Sequence, residues 1–141
     1  MEDIIIPENF YRVSVKALIL DASWKFLLIK TPQSNLWDLV GWWINFWETP
    51  EECLRREIRE EMHLEIIHFD SRPCYFYTVK VLHSNYSLAN IVYQIILNNL
   101  EFTPTEECDE IWFFNVKEAK NLKTYPRTQE FFKLYNANNH I

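Results

Sequence analysis

Glu57, Glu60 and Glu61 stand three and four residues apart in the run 40–66, VGWWINFWETPEECLRREIREEMHLEI. An α-helix turns about 100° per residue, so these spacings bring three carboxylates within roughly 100° of arc on one side. Leu54, Ile58 and Met62 line the adjacent arc. Such a helix sinks an aliphatic stripe into a core and holds its carboxylates where the buried and wet faces meet. The crowded like charges repel, and a hard divalent cation, Mg2+ or Mn2+, takes oxygen ligands of this kind together with substrate phosphates. The competing reading is a solvated helix face on which Arg55, Arg56 and Arg59 intersperse with the glutamates.

The helix that must carry these groups has a legible start. Thr49 suits an N-cap, Pro50 suits the first helical position, and Glu52, three residues after Thr49, completes a capping box. Glu48 stands just before that cap, at the end of a loop.

With these residues in place, the segment resembles the signature of the Nudix hydrolases (MutT-like), G-x5-E-x7-R-E-U-x-E-E-x-G-U, where U is a bulky aliphatic. Glu48, Arg56, Glu57, Ile58, Glu60, Glu61 and Leu64 match it at the correct spacing, while Trp42 and His63 replace its two glycines. Trp43 and Trp47 also stand where relatives usually carry glycine, and Gly41 is the only glycine in the chain. The resemblance implies that Glu57, Glu60 and Glu61 hold divalent metal and that one of them serves as base. It implies that the Gly41 carbonyl adds a backbone ligand and that Arg56 pairs with Glu48 to orient the loop, a supporting contact behind the metal ligands.

The 141 residues predict one Nudix-like domain, 1–141, of ordinary composition with a heavy aromatic load. A net charge of −6 argues against general nucleic-acid binding, which needs basic patches to release counterions. The start MEDIIIPENF is acidic and only briefly apolar, unlike a signal peptide, and no stretch approaches the ~20 apolar residues of a membrane helix. The expected location is cytoplasmic and the expected partner a small-molecule nucleotide, with no membrane contact and a homodimer left open. Cys53, Cys74 and Cys108 are odd in number and lack histidines at zinc spacing, so they read as buried or free thiols.

Alternation and apolar runs predict strands over 10–20, 25–30, 37–40, 65–69, 74–81, 90–97 and 109–114, with helices from Thr49 and over 116–121 and 127–135. The 25–30 strand reads as the hairpin partner of the first, across a turn at 21–24 whose last place, Trp24, would favour glycine. This order gives an α+β or layered α/β/α class, a mixed β-sheet flanked by helices, which is the Nudix fold. Among Glu106, Glu107, Asp109 and Glu110, where relatives often carry one more acidic site residue, Glu110 is favoured. Arg12 and Lys30 flank the box and are candidates to meet substrate phosphate.

Two functions fit. One is Mg2+-dependent hydrolysis of a pyrophosphate bond in a nucleoside diphosphate derivative or nucleoside triphosphate. The other is a Nudix-like scaffold that binds nucleotide or protein with weak turnover, because indoles fill a loop in which a non-glycine residue at positive φ costs roughly 1–2 kcal/mol.

Overall fold

The structure is a computed structural model that describes residues 8–141; the stretch 1–7, part of the segment read as unlike a signal peptide, lies outside the described residues. Strand β1 (Phe10–Leu18) lies between β4 (Gly41–Trp43), antiparallel to it, and β7 (Tyr86–Leu97), parallel to it. Strands β5 (Ile66–Phe69) and β6 (Tyr75–Lys80) both pair antiparallel with β7, at different stretches of its length. A second sheet runs β3 (Trp37–Asp38), β2 (Phe26–Lys30), β8 (Glu110–Phe114).

The two sheets share two cores. Val15 and Ala17 of β1 and Leu27 and Ile29 of β2 pack with Cys53, Leu54, Ile58 and Met62 of helix α1 (Pro50–Met62). On the other side Leu18, Phe26, Leu28 and Val92 pack with Phe131 and Phe132 of helix α3 (Pro126–Leu134), which follows the short α2 (Val116–Ala119). Period-2 alternation thus sends successive residues of one strand to opposite helices, and the result is the mixed sheet flanked by helices read from the sequence. Among the described residues no helix is long and apolar enough to cross a membrane.

One pairing departs from the sequence reading. Strand β2 is not the hairpin partner of β1, because both edges of β1 are already taken by β4 and β7. Beyond the strand end, Ile19 and Leu20 pair with β2 through their backbones, in the Leu20–Phe26 bridge and with Leu27 N–H donating to Ile19 O at 2.9 Å. The turn between them takes the conformation its sequence implied: Trp24 sits at φ 63, with the Asp21 carboxylate accepting from Ser23 N at 2.8 Å and Lys25 N at 3.0 Å. Residues 41–43, read as loop, form the edge strand β4 instead.

Gly41 has φ 118, and a Cβ there would run into the Val15 carbonyl. Close approach of two backbones, not only φ, demands glycine here. Trp42, Trp43 and Trp47 are not among the described non-glycine residues with positive φ, so the strain argument does not apply to them.

Candidate active site

Helix α1 starts as its sequence dictates: Thr49 Oγ1 accepts from Glu52 N at 3.2 Å, and the Glu52 carboxylate accepts from Thr49 N at 3.1 Å. That start fixes the phase of the glutamates one and more turns later. Glu57 and Glu61 are buried, at 6% and 8% exposure, while Glu60 is exposed. Arg56 ties the cluster together from behind. Its Nε and Nη2 donate to the two oxygens of Glu48 at 2.7 and 2.9 Å, and its Nη1 to Glu57 at 2.8 Å and Glu60 at 3.4 Å. The Arg56 hydrogen bonds hold the Glu48 carboxyl below its usual range, against a smaller upward push from burial.

A fourth carboxylate arrives from the loop between β7 and β8. Oxygens of Glu57, Glu60 and Glu107 lie within 4.8 Å of one another. Thr105 places that loop: its Oγ1 donates to the Glu61 carbonyl at 2.8 Å and accepts from Glu107 N at 3.2 Å and Cys108 N at 3.1 Å. Burial, then the charges of Glu57 and Glu60, push the Glu107 carboxyl up. Glu61 is driven well above its ordinary value, first by burial and then by neighbouring Glu57, and its Oε2 has no hydrogen-bond partner.

These carboxylates line a cleft of about 350 Å³ together with Lys16, Asp38, Gly41, Trp42, Tyr125 and Arg127. Lys16, 1% exposed, donates to Asp38 Oδ2 at 3.0 Å, Leu39 O at 3.3 Å and Gly41 O at 2.7 Å. Asp38 also accepts from Arg127 Nε at 2.9 Å and Thr128 Oγ1 at 2.7 Å. Burial alone would raise the Asp38 carboxyl, but Lys16, Arg127 and the Thr128 hydroxyl outweigh it and hold the carboxyl below its ordinary value.

The sequence-derived candidates divide accordingly. Gly41, Glu57, Glu60 and Glu61 line the cleft, with Glu48 and Arg56 behind them. The Gly41 carbonyl accepts the Lys16 ammonium. Arg12 and Lys30 do not line the cleft: Arg12 lies 4.0 Å over the Trp43 ring, and Lys30 pairs at 2.6 Å with Glu110, its cross-strand partner. The loop carboxylate brought to the cluster is therefore Glu107, while the favoured Glu110 faces Lys30 on β8. Sequence reasoning missed Lys16, Asp38, Tyr125 and Arg127. The one local signal was Lys16, a lone charge inside the apolar alternation 13–20. Trp42 lines the cleft and stacks on Trp43, with centroids 5.3 Å apart, whereas Trp47 is 80% exposed.

The donor set fits a divalent cation. All its side chains offer hard oxygen, three oxygens already converge, and one buried oxygen of Glu61 lacks any partner. An alternative in which paired cations neutralise the cluster is met only in part, since among the described residues Arg56 alone pairs with it, while Lys16 and the Nε of Arg127 pair with Asp38.

The NUDIX domain model matches residues 10–135. No curated protein sequence matches the chain. Solved structures do: the MutT NUDIX hydrolase from Burkholderia pseudomallei is 18% identical at a TM-score of 0.72, covering 89% of this chain and 98% of that one. The MutT protein from Methanosarcina mazei Go1 is 22% identical at 0.72, covering 96% and 100%. An ADP-ribose pyrophosphatase from Streptococcus suis 89-1591 is 18% identical at 0.60, covering 83% and 81%. With the family model spanning most of its length, the chain belongs to the NUDIX domain family.

Proposed function

We propose that the 141 residues act as one domain that hydrolyses a pyrophosphate bond in a nucleoside diphosphate derivative or nucleoside triphosphate, with Mg2+ or Mn2+ as cofactor. The observation that carries this reading is the convergence of Glu57, Glu60 and Glu107 oxygens within 4.8 Å in the lining of a cleft. Those three and Glu61 would hold the cation. A divalent cation, when bound, neutralises phosphate charge and activates water.

The chain's own groups supply the rest. Arg56 holds Glu57 and Glu60 by their oxygens and anchors the 44–48 loop through Glu48, so the carboxylates are oriented before substrate arrives. The buried position of Glu57 and Glu61 lowers the local dielectric, which strengthens every charge interaction made there. The name of the Streptococcus suis neighbour, an ADP-ribose pyrophosphatase, supports a nucleoside diphosphate derivative as one substrate class.

The test is a panel of nucleoside di- and triphosphate derivatives assayed with Mg2+, Mn2+ or chelator, with Glu57→Gln and Glu61→Gln beside the parent. Each variant is expected to lose at least ~10²-fold in kcat. Glu51→Gln, exposed and paired with Arg55, is the control and keeps its rate. Undiminished turnover in both variants would return the cluster to a solvated helix face.

A further inference from the structure

Arg127 differs from every other cation around the cleft. Its guanidinium carbon lies 4.3 Å from the Trp42 ring centroid and 4.0 Å from that of Tyr125, so the planar group is held between two aromatic faces. Nε is spent on Asp38 at 2.9 Å. Among the described residues neither Nη donates to anything, although the side chain is only 14% exposed and lines the cleft. Lys16, by contrast, has three acceptors for its three protons.

Arg127 is the second residue of α3, and the helix opens at Tyr125 with no side-chain cap. The N-terminal end of a helix carries partial positive charge that favours an anion, here with Pro126 lacking an N–H and Thr128 N donating to Tyr125 O at 3.0 Å. The guanidinium fork and the positive end of α3 therefore meet in the same cleft that Glu57, Glu60, Glu61 and Glu107 line. Two rings and a carboxylate fix the fork's plane, which lowers the entropy lost when its Nη groups bind a planar pair of oxygens.

Resting on the pyrophosphohydrolase reading, we propose that Arg127, sandwiched by Trp42 and Tyr125, is the phosphate clamp of the cleft and grips non-bridging oxygens of the substrate through its two Nη groups. Bidentate arginine–phosphate bonds are strong and directional. This gives Trp42 a function at a position where the family signature has glycine: it is one jaw of the clamp's holder.

The experiment is calorimetric titration of the parent, Arg127→Gln, Arg127→Lys and Trp42→Leu with ADP, inorganic pyrophosphate and adenosine at saturating Mg2+, and with Mn2+ alone. Both Arg127 variants are expected to bind ADP and pyrophosphate at least tenfold more weakly, with adenosine and Mn2+ affinities within twofold of the parent. Arg127→Lys keeps the charge, so its loss isolates the fork. Trp42→Leu keeps the fork and loosens its seat, and is expected to weaken pyrophosphate about threefold. In steady state KM rises for both Arg127 variants while kcat holds within threefold. Unchanged pyrophosphate affinity in Arg127→Gln overturns the clamp, as does an equal loss for adenosine and ADP, which would put Arg127 on the base. If Arg127→Gln loses its cooperative melt, Arg127→Lys decides by the same criteria. A parent that binds Mn2+ but no pyrophosphate sinks the clamp alone; one that binds no metal sinks the function on which it rests.

Discussion

Arg56 donates to both oxygens of Glu48, at 2.7 and 2.9 Å, and so pins the chain before α1 to the second turn of that helix. Glu48 also accepts from Asn45 N at 2.9 Å, so the carboxylate closes the loop on itself as well as on the helix. Glu48→Gln is expected to cost about 1–3 kcal/mol, because charge-assisted bonds at a largely buried oxygen are lost. Arg56→Lys should cost a similar amount, since an ammonium cannot span the two Glu48 oxygens and Glu57 together. Thermal melts of both variants against the parent check this; unchanged midpoints would make the pair ornamental.

Glycine chemistry separates two positions of the signature. His63 sits at φ 55, ψ 36 as the C-cap of α1 and is exposed, so nothing is lost in packing when it is replaced. His63→Gly should therefore raise stability by up to about 1 kcal/mol as left-handed strain is relieved. Gly41→Ala should do the reverse and abolish a cooperative melt or cost more than about 4 kcal/mol, because the new Cβ meets the Val15 carbonyl. A melt of Gly41→Ala near that of the parent would show that β1 and β4 separate easily.

What the sequence revealed and what it withheld follow the range of the interactions. The capping box of Thr49 and Glu52, the αL cap at His63 and the shared face of Glu57, Glu60 and Glu61 are set within a few residues, and each was legible from spacing. Glu107 was legible only as one of four acidic candidates, since Thr105 reaching the Glu61 carbonyl is a contact between residues 44 apart in sequence. The Lys16–Asp38–Arg127 network joins β1, β3 and α3, and no local period encodes such a meeting. The mistaken β1–β2 hairpin has the same origin: a turn can be read locally, but whether an edge is free depends on β4 and β7.

Asp38 carries an acid-sensitive part of the stability. Its carboxyl titrates lower in the folded protein than in the unfolded chain, where it lies near ~3.9. The unfolded state thus binds the proton more readily, so Asp38 contributes stability that is present above about pH 3.9 and is lost as pH falls through the folded value. Asp38→Asn should leave Lys16 and Arg127 poorly compensated and cost about 3–5 kcal/mol at pH 7. It should also flatten the acid limb of the curve of Tm against pH. Parallel acid limbs for variant and parent would remove Asp38 from the account.

Trp43, Ser14, Asn90 and Tyr77 are successive register partners across β4, β1, β7 and β6. Trp43 Nε1, Ser14 Oγ, Asn90 Oδ1 and the Tyr77 hydroxyl all lack a hydrogen-bond partner in the protein. Buried polar atoms of this kind cost about 1–3 kcal/mol each when nothing satisfies them. Burial drives the Tyr77 hydroxyl far above its ordinary range, so it stays neutral and removing it forfeits no charge. Tyr77→Phe keeps the ring in the core shared with Phe131 and should leave stability unchanged or raise it by up to about 1–2 kcal/mol. Ser14→Ala, on the far side of Asn90 in the row, should follow the same sign. A loss above about 1 kcal/mol in Tyr77→Phe would mean that the hydroxyl is bonded in solution, and hydrogen-exchange protection of β6 would then fall in the variant alone.

Glu61 offers a crossing test of the carboxylate cluster. Burial, and then Glu57 beside it, raise its folded value well above the ordinary carboxylate range, so without metal the folded state holds a proton that the unfolded state releases. As pH rises above ~4.3, the unfolded value, the metal-free protein should lose stability until the folded carboxyl has also ionised. Glu61→Gln removes both the charge and that slope, and its metal-free Tm should exceed the parent's at pH 8. With millimolar Mn2+ the order should reverse, because the parent gains by mass action from a cation that Glu61 helps to hold, whereas the variant gains less. Melts of both proteins at pH 5.5 and 8, with chelator and with Mn2+, give the four comparisons. If Glu61→Gln is less stable than the parent without metal, Glu61 is held ionised by a partner other than a divalent cation; if Mn2+ raises both proteins equally, the cation is held without Glu61.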